Sequence, residues 1–463
     1  MNKKLEIISP VTGEVYVSRE YADNRRIESV LESSVKAFSS WKDTPIQTRS
    51  EICIRAIQYF QNHSENWGHE LTMQMGRPVR YSPNEILNGF SERAEYMIGI
   101  AEQALSAINP SEKEGFKRFI KKEPLGTVLV LAPWNYPYLT AVNSVIPALM
   151  AGNTVILKHS DQTALCAEHF DEAFRVAGLP DGVFNYLHLT HEQVSDILCD
   201  ERISSVVFTG SVEGGMSVQK AVSSRFIPVA LELGGKDPAY VAQDADLSMA
   251  VENLVDGSFF NSGQSCCGIE RIYVHQNRYE EFLDQFITLT RSYVLGDPTK
   301  IETTLGPMAR ISNAKTAFDT IQDAIRQGAT AHIKPGDFPN FGLPWLAPQI
   351  LTEVNHNMKI MSEETFAPVA CITPVQNDDE AVHLMNDSKY GLTASIWTTD
   401  TEKALYLGNK IETGTLFLNR CDYLDPELAW TGVKESGRGC TLSPMGYDQF
   451  TRPKSYHLRL SAK

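Results

Sequence analysis

The sequence predicts an α/β protein in which parallel strands alternate with helices. From Thr127 onwards, short runs of β-branched and aliphatic residues are separated by stretches with helical spacing of apolar residues. This alternation is typical of a doubly wound parallel sheet, and it resumes after Gly235. In the segment 111–123, apolar and basic residues alternate, which indicates a β-ribbon. We therefore expect two α/β domains and a ribbon.

Length and composition limit the kinds of function. A chain of 463 residues exceeds one ordinary hydrophobic core, so two or three domains are expected. The net charge of −15 argues against nucleic acid or an anionic membrane surface as a partner. The segment 125–157 has no charged residue, but three prolines interrupt it, so a buried strand–helix–strand unit fits it better than a membrane span.

The cysteines and histidines indicate neither disulfides nor a metal. The eight cysteines are widely spread without a CxxC spacing, and the eleven histidines do not cluster with carboxylates. The apolar run before Pro10 is too short for a signal peptide. We therefore expect a cytoplasmic protein without a bound metal.

Residues 5–20 indicate a short strand and a turn, and apolar periodicity predicts helices starting at Asn24 and spanning 46–60, 62–75 and 83–108. The first sheet is predicted from strands at 127–132, 154–158, 183–187, 205–208 and 228–233, with helices between them. The second domain is predicted from helices at 246–258, 278–294 and 313–327 and strands at 271–275, 369–374, 393–398 and 415–419. The strand-like tail, TRPKSYHLRL, is expected to pair with the ribbon.

One loop places two adjacent cysteines between a predicted helix and a predicted strand. In FFNSGQSCCG, Cys266 and Cys267 follow a Gly-Gln-Ser turn. A thiol held on a loop between rigid elements is well placed for covalent catalysis. Two buried and inert cysteines would give the same pattern.

Two other loops carry groups suited to the same chemistry. Asn135 lies between two prolines in PWNYP and could donate its amide N–H to a developing oxyanion. Glu232 ends a predicted strand before Gly234-Gly235 and could act as a general base. Alternatively, they are an ordinary turn asparagine and a solvated glutamate.

The first sheet also carries candidates for a nucleotide site. Lys158 ends a buried strand, and Gly210-Ser211 lies between a strand and a helix, where backbone N–H groups favour phosphate. The spacing is not GxGxxG, so a simple strand-to-helix turn competes with this interpretation. A lysine extending to the surface likewise competes for Lys158.

Taken together, the motifs resemble the aldehyde dehydrogenase superfamily. The resemblance rests on an ordered set that runs from about Pro10 to Arg459. Its members are PWN (133–135), Lys158, FTGS (208–211), ELGG (232–235), FFNSGQSC (259–266), LGPMAR (305–310), EETFAP (363–368), YGLTASIWT (390–398) and GVKESGRG (432–439).

The resemblance implies a fold and a catalytic set. It implies a Rossmann-type NAD(P)-binding domain (1–105 and 125–234), a catalytic domain (235–440), and an oligomerisation ribbon and tail (106–124 and 441–463) that would form a homodimer or homotetramer. Cys266 matches the nucleophile, Asn135 the oxyanion-hole amide and Glu232 the base that activates water for deacylation. Cys267 matches a variable neighbour, so a packing role is expected for it.

The resemblance also implies a cofactor set. Its members are Lys158 at the adenosine ribose, Gly210 and Ser211 on the phosphate side, Trp134 as a wall, Glu364 at the nicotinamide ribose and Phe366 beside the nicotinamide. Asp161 stands where NAD-preferring members commonly carry a ribose-binding glutamate. A carboxylate there favours NAD over NADP, although its shorter side chain leaves NADP use open.

Departures from the family pattern concern the substrate. Asn143 stands where similar succinate semialdehyde dehydrogenases place an arginine for a distal carboxylate, so an anionic aldehyde is less well supported, unless Arg420 compensates. Tyr136, Tyr138 and Tyr423 suggest an aromatic pocket wall, although tyrosines fill cores as readily. Ala367 replaces a usual glycine.

The implied activity is oxidation of a small-molecule aldehyde to the acid with NAD(P)+, through a thiohemiacetal and a thioester on Cys266. A coenzyme A-acylating relative and a non-catalytic protein that keeps the fold are the alternatives.

Overall fold

Two large sheets and two small antiparallel pairs form the framework of the protein. The structure is a computed structural model that describes residues 4–460. The predicted domain bounds include residues 1–3 and 461–463, which lie outside the described residues. One sheet has six strands and the other has seven. Helices pack on both, as expected for an α/β fold.

The strands are β1 (Lys4–Ile8), β2 (Val15–Glu20), β3 (Phe116–Pro124), β4 (Thr127–Ala132), β5 (Thr154–His159), β6 (Phe184–Tyr186), β7 (Ile203–Thr209), β8 (Val229–Glu232), β9 (Asp237–Val241), β10 (Ile269–His275), β11 (Thr330–Ala331), β12 (Gln349–Thr352), β13 (Val369–Val375), β14 (Thr393–Trp397), β15 (Thr415–Leu418), β16 (Gly437–Arg438) and β17 (Thr451–Arg459).

The helices are α1 (Asn24–Trp41), α2 (Ile46–Asn62), α3 (Ser64–Met75), α4 (Ser82–Asn84), α5 (Ser91–Ala104), α6 (Pro137–Ala151), α7 (Leu165–Val176), α8 (His191–Cys199), α9 (Val212–Ala221), α10 (Leu247–Phe259), α11 (Tyr279–Thr290), α12 (Ile311–Arg326), α13 (Lys359–Ser362), α14 (Asp378–Asn386) and α15 (Thr401–Gly408). A π-helical segment, Glu85–Phe90, separates α4 from α5, so the single helix predicted at 83–108 is divided. Within residues 4–460, no helix has both the length and the apolar character to cross a membrane.

The six-stranded sheet confirms the prediction of a parallel, doubly wound arrangement. Its order is β16-β8-β7-β4-β5-β6, and all neighbours except β16 are parallel. The chain proceeds from β4 to β5 and β6 on one side, and continues with β7 and β8 on the other. This reversal creates a switch point between β4 and β7, where such sheets bind ligands at the carboxyl ends of the strands.

The strand register brings distant residues to that edge. Leu131 of β4 lies opposite both Lys158 of β5 and Phe208 of β7, while Thr209 of β7 lies opposite Glu232 of β8. The loops that follow these strands therefore leave the sheet side by side. This register places the PWN loop, Lys158, the FTGS turn and Glu232 along one edge.

The seven-stranded sheet carries the double-cysteine segment. Its order is β11-β12-β13-β10-β9-β14-β15, and only the β11–β12 pair is antiparallel. The segment 260–268 connects α10 to β10. The short β16, from a stretch predicted to belong to the second domain, pairs with β8 of the first sheet.

The C-terminal tail pairs with the ribbon segment, as predicted. β3 and β17 form an antiparallel ladder from Pro124 opposite Thr451 to Phe116 opposite Arg459. The rings of Phe119 and Tyr456 stack across it with centroids 4.4 Å apart. Most of β17 is exposed to solvent.

Candidate active site

A cavity of about 230 Å³ lies where the carboxyl edge of the six-stranded sheet meets the double-cysteine loop. Eight of the residues singled out from the sequence line it: Trp134, Asn135, Gly210, Ser211, Glu232, Cys266, Glu364 and Phe366. These residues come from five separate segments of the chain, and the fold brings them together. A larger groove of about 830 Å³ around Trp345 contains none of them.

The loop that carries Cys266 is held in an uncommon backbone conformation. Asn261 and Ser262 both have left-handed φ angles, 53° and 55°. The side chains of Asn261 and Gln264 each donate to the other residue's carbonyl, at 3.2 and 3.0 Å. The carbonyl oxygen of the Gln264 side chain accepts the N–H of Ala309 at 2.9 Å. The loop is thus fixed by its own side chains, as expected where a nucleophile must be positioned.

The two adjacent cysteines differ in environment. Cys266 is partly exposed and faces the cavity, whereas Cys267 is buried. The thiol of Cys267 donates to Oδ1 of Asp422 at 2.9 Å. Its hydrogen bond with Cys266 and its burial raise the pKa of Cys267 well above the ordinary value. Cys267 therefore stays a thiol, and Cys266 is the sulfur that a ligand in the cavity can reach.

A buried ion pair that sequence reasoning missed holds Asn135. Arg77 and Glu85 pair with side chains that are 2% and 1% exposed. Arg77 also donates to the backbone carbonyl of Asn135 and, through Nε at 3.1 Å, to Oδ1 of Asn261. The amide of Asn261 donates to the same Asn135 carbonyl at 3.2 Å. Arg77 thereby ties the PWN loop to the cysteine loop.

Glu85 fixes the other side of the PWN loop. Its Oε1 accepts the backbone N–H groups of Tyr138 and Leu139, at 2.8 and 3.1 Å, in the first turn of α6. In the sequence, Arg77 stands in a Gly-Arg-Pro turn that only signals the end of a helix. No spacing or periodicity connects that turn with residues 135 and 261, so only the tertiary structure identifies it.

Two threonine hydroxyls hold the Glu232 carboxylate at the wall of the cavity. This carboxylate accepts hydrogen bonds from the hydroxyl groups of Thr209, at 3.0 Å, and Thr441. Burial raises the pKa of Glu232 above the ordinary value, while the two hydroxyls and the charge of Arg93 oppose this increase. A carboxylate with a raised pKa is a stronger base for activating water.

Glu364 projects into the cavity next to a required glycine. Its Oε1 accepts the N–H of Gly235 at 3.1 Å, and burial raises the pKa of Glu364 to about 8. A Cβ on Gly234 would lie 2.2 Å from Oε2 of Glu364, so any other residue at position 234 would displace this carboxylate. The ring of Phe366 meets that of Trp134 edge to face, with centroids 5.5 Å apart.

The loop that carries Glu364 and Phe366 rests on a second ion pair that the sequence did not reveal. Glu270 pairs with Lys236, and both side chains are almost fully buried. The Glu270 carboxylate accepts the N–H groups of Thr365 and Phe366 at 3.0–3.1 Å. It thereby supports Phe366, whose φ of 53° is strained. Ala367 stands where the family usually has glycine, but its φ angle is not positive, so this position does not require a glycine.

Lys158 and Asp161 lie along the same sheet edge but outside this cavity. Nζ of Lys158 lies 3.1 Å from Oδ1 of Asp161. The other oxygen of Asp161, Oδ2, accepts a hydrogen bond from the hydroxyl of Tyr21 at 2.8 Å. Ser211 accepts the N–H of Gly214 at 3.1 Å and caps α9.

These residues fit a nicotinamide dinucleotide. Lys158 supplies a cation on β5, the capped start of α9 follows β7, and the Glu364 carboxylate with the rings of Trp134 and Phe366 lines the cavity. The glycine at position 234 leaves room for the Glu364 carboxylate that would hold a ribose.

The candidate substrate residues are not among those that line the cavity. The guanidinium of Arg77 lies over the ring of Tyr136, with Cζ 4.5 Å from the ring centroid. Burial raises the pKa of Tyr136 well above the ordinary value. Tyr423 donates its hydroxyl to Glu92 at 2.7 Å, and Arg420 stacks on its ring at 3.6 Å.

Two of the candidate substrate residues are buried. The structure places Tyr138 in the hydrophobic core instead of a pocket wall, with its hydroxyl 2.7 Å from Nδ1 of His169, because its position in the first turn of α6 faces inward. Asn143 is 2% exposed, and its Oδ1 accepts from Arg93 at 3.4 Å.

Residues 1–456 match a family model described as the aldehyde dehydrogenase family. The chain is 32% identical over 445 residues to the succinate semialdehyde dehydrogenase Sad of Escherichia coli K12, which is named as NAD(P)+-dependent, covering 96% of this chain and 95% of that one.

Solved structures agree with this result. The succinic semialdehyde dehydrogenase of Streptococcus pyogenes, in complex with NADP+, superimposes with a TM-score of 0.93 at 27% identity, covering 98% of this chain and 99% of that one. An NAD-dependent aldehyde dehydrogenase from Sinorhizobium meliloti superimposes with a TM-score of 0.95 at 29% identity, covering 100% of this chain and 92% of that one.

Proposed function

The chain belongs to the aldehyde dehydrogenase family, and on that premise we propose that Cys266, Asn135 and Glu232 carry out its reaction. The family reaction oxidises an aldehyde to the carboxylic acid with NAD(P)+. The observation that carries the assignment is one cavity lined by a reachable thiol, a buried amide and a carboxylate with a raised pKa. Covalent aldehyde oxidation needs these three groups around a single carbonyl carbon.

In the first half-reaction, the thiolate of Cys266 attacks the carbonyl carbon and the C=O π electrons move onto oxygen. The side-chain amide of Asn135 and the backbone N–H of Cys266 donate to that oxyanion in the thiohemiacetal. NAD(P)+ held at this site would supply the hydride acceptor, and loss of hydride from this carbon leaves a thioester on Cys266. The hydrogen bonds of Arg77 to the Asn135 carbonyl and to Asn261 hold Asn135 against the cysteine loop during these steps.

In the second half-reaction, Glu232 takes a proton from water, and the resulting hydroxide attacks the thioester carbonyl. Cys266 leaves as a thiolate, and the carboxylic acid is released. Thr209 and Thr441 hold the Glu232 carboxylate while it performs this role. This base counts against the coenzyme A-acylating alternative, because activation of water is useful only when water is the acceptor.

The cofactor would be held by the residues along the sheet edge. We assign Lys158 and Asp161 to the adenosine ribose, Gly210 with Ser211 to the phosphates, and Glu364 to the nicotinamide ribose. Trp134 and Phe366 supply flat apolar walls. The carboxylate of Asp161 favours NAD over NADP, because it repels a 2′-phosphate.

Replacement of the two cysteines one at a time tests this assignment. Cys266→Ser should abolish aldehyde-dependent formation of reduced cofactor while NAD+ binding, measured by calorimetry, persists. Cys267→Ser, which removes the adjacent buried sulfur, should retain turnover. Retained turnover in Cys266→Ser would contradict the covalent mechanism, and an inability of the wild type to oxidise any aldehyde would support the non-catalytic alternative.

Three further proposals accompany the activity. The exposed ribbon of β3 and β17 offers a surface for a homodimer or homotetramer. A cytoplasmic location suits eight free thiols, which persist most readily in a reducing compartment. Tyr423, with Arg420 stacked on its ring, and Tyr136 are proposed to border the path of the substrate.

A further inference from the structure

Asp422 carries a carboxyl group that the proposed reaction does not use. It lies in the loop that follows β15, and it is half-buried. One of its oxygens, Oδ1, accepts hydrogen bonds from the thiol of Cys267 at 2.9 Å and from the hydroxyl of Ser265 at 3.3 Å. These two residues stand on either side of Cys266 in the chain. A single carboxylate oxygen therefore holds the proposed nucleophile's segment from both sides.

A strained loop brings Asp422 to this position. Asn419 and Asp422 have φ angles of 53° and 51°, in the left-handed region that residues other than glycine rarely adopt. The side chain of Asn419 fixes the start of the loop, because it accepts the N–H of Thr398 at 3.1 Å and donates to the carbonyl of Thr398 at 2.9 Å. Such strain persists only where the surrounding structure imposes it, and it is concentrated at functional sites. Here it places a carboxylate against the residues that flank Cys266.

The Asp422 carboxylate lowers the stability of the folded protein near neutral pH. Burial raises the pKa of Asp422 to about 7, against the opposing effect of the hydrogen bond from Cys267. In an unfolded chain, the pKa of an aspartate is about 3.9. Between these two pH values the unfolded state releases the proton and the folded state keeps it, so the free energy of unfolding falls as the pH rises. The titratable or charged groups that interact with Asp422 come from several elements: Cys267, Asp256 of α10, Arg93 of α5, Asp237 of β9, Tyr136 and Cys421.

The segment that Asp422 holds includes one of the two proposed oxyanion donors. That donor is the backbone N–H of Cys266, which belongs to the peptide joining Ser265 to Cys266, so the orientation of Ser265 sets its direction. The hydrogen bonds between Asn261 and Gln264 fix the loop before this peptide, and Asp422 fixes the residues directly beside the nucleophile. A charged acceptor makes hydrogen bonds roughly twice as strong as a neutral one. The loss of stability at Asp422 is therefore explained if its charge keeps the nucleophile in place.

We propose that Asp422 is a positioning residue for the nucleophile: through Ser265 and Cys267, its carboxylate holds the thiol and the backbone N–H of Cys266 in the reacting arrangement. This inference rests on the proposed function and adds a residue that acts only through its neighbours. Positioning weakens when Asp422 takes up a proton, because a neutral carboxyl group is a weaker acceptor than a carboxylate. The step affected is the attack of Cys266 on the aldehyde, whereas Glu232 governs the later hydrolysis.

The test compares the burst rates of the wild type and Asp422→Asn over a range of pH. The initial formation of reduced cofactor, measured by stopped-flow absorbance, reports attack and hydride transfer before the thioester is hydrolysed. At about pH 8, the burst of Asp422→Asn should be about tenfold slower, because its amide oxygen is a neutral acceptor. Below about pH 7 the two rates should converge, because Asp422 is then neutral as well. The ratio of the two rates removes the pH dependence of all groups that both proteins share.

Other substitutions trace the effect through the two flanking residues. Asp422→Ala removes the acceptor and should slow the burst about 100-fold, because misplacement of a reacting group by about 1 Å slows a reaction by about this factor. Cys267→Ala should slow the burst in the wild-type background but add little to Asp422→Ala, since both changes break the same link. Cys267→Ser keeps a donor for Asp422 and should lie closer to the wild type. Glu427→Gln, at an exposed position in the same segment of the chain, controls for net charge.

Thermal unfolding separates positioning from a purely structural role. Asp422→Asn should unfold at a higher temperature than the wild type at about pH 8, and this difference should shrink towards about pH 5, because only the wild type has the carboxyl group whose pKa is raised by folding. A carboxylate with a purely structural role would instead make the variant less stable than the wild type at about pH 8. It would also leave the ratio of the two burst rates independent of pH.

The outcomes distinguish this inference from the proposed function. A ratio of burst rates between the wild type and Asp422→Asn that stays constant with pH would overturn the role of Asp422, and this comparison decides the matter even if Asp422→Ala fails to fold. Additive effects of Asp422→Ala and Cys267→Ala would also overturn it, because Asp422 would then act without Cys267. Either result leaves aldehyde oxidation intact. Failure of the wild type to oxidise any aldehyde would contradict the proposed function itself.

Discussion

Glu232→Gln is expected to separate the two halves of the reaction. Glutamine has nearly the shape of glutamate, and its carbonyl oxygen can still accept from one of Thr209 and Thr441, but it cannot take a proton from water. Hydride transfer from the thiohemiacetal does not need this base, so one equivalent of reduced cofactor per active site should still form rapidly. Hydrolysis of the thioester should then become very slow.

The size of the effect follows from the role of the base. Removal of a positioned general base typically slows its step by about 100- to 10,000-fold. The raised pKa of Glu232 makes its carboxylate a stronger proton acceptor than a solvated one. We therefore expect steady-state kcat to fall by about 1,000-fold, with the initial burst amplitude unchanged.

Thr441→Val provides a matched control that keeps the base and alters its pKa. The Thr441 hydroxyl donates to the Glu232 carboxylate and stabilises its charged form. A hydrogen bond to a charged group is worth about 1.5–3 kcal/mol. Removal of this one should therefore raise the pKa of Glu232 further above its ordinary value. The acidic limb of the kcat–pH profile should shift upward accordingly, and activity should recover at higher pH.

Stopped-flow absorbance of the reduced cofactor measures the burst, and continuous absorbance measures the steady state over a range of pH. A Glu232→Gln rate within a few-fold of wild type would exclude Glu232 as the deacylation base. Loss of the burst itself would show that Glu232 acts before hydride transfer, for instance on the thiol. An unshifted pH profile in Thr441→Val would show that the limb belongs to another group.

Two other substitutions test the positioning and cofactor assignments. Arg77→Lys keeps a positive charge near Glu85 but cannot reach both the Asn135 carbonyl and Asn261. We expect kcat to fall about 100-fold, because misplacement of a catalytic group by about 1 Å slows a reaction by about this factor. The Kd for NAD+ should stay constant. Calorimetry and steady-state kinetics check this, and an equal loss of cofactor binding would indicate general unfolding. Asp161→Ser removes the carboxylate that should repel a 2′-phosphate. We expect the ratio of kcat/KM for NADP+ to kcat/KM for NAD+ to rise roughly tenfold, because a single like-charge contact in a partly exposed site is worth about 1–4 kcal/mol. An unchanged ratio would place the cofactor preference elsewhere than Asp161.

Sequence patterns predicted the regular elements best where the signal was local. The strand at 127–132 was predicted with its observed bounds, because an uninterrupted buried run next to a proline-rich loop is unambiguous. β9 was not predicted, since Pro238 within a short run argues against a strand. The helix predicted at 83–108 is divided by a π-helical segment, which apolar periodicity cannot reveal.

Among the candidate site residues, the eight that line the cavity belong to motifs whose residue types are set by chemistry. Tyr138 shows the limit of that reasoning. The presence of aromatic residues near a motif does not distinguish a pocket wall from a core position. Tyr138 lies on the inward face of α6 and is therefore buried in the core. The two buried ion pairs, Arg77–Glu85 and Lys236–Glu270, escaped detection because charged residues are normally taken as solvated.

The amino-acid sequence by itself determined the α/β class, the family and the residue types available for covalent oxidation of an aldehyde. These properties depend on local periodicity and on short motifs, which a linear chain displays directly. The tertiary structure alone decided which buried charged residues pair with one another and which side chains line the cavity. Pairing between Arg77 and Glu85, or between Lys236 and Glu270, depends on distances between elements that no local pattern encodes.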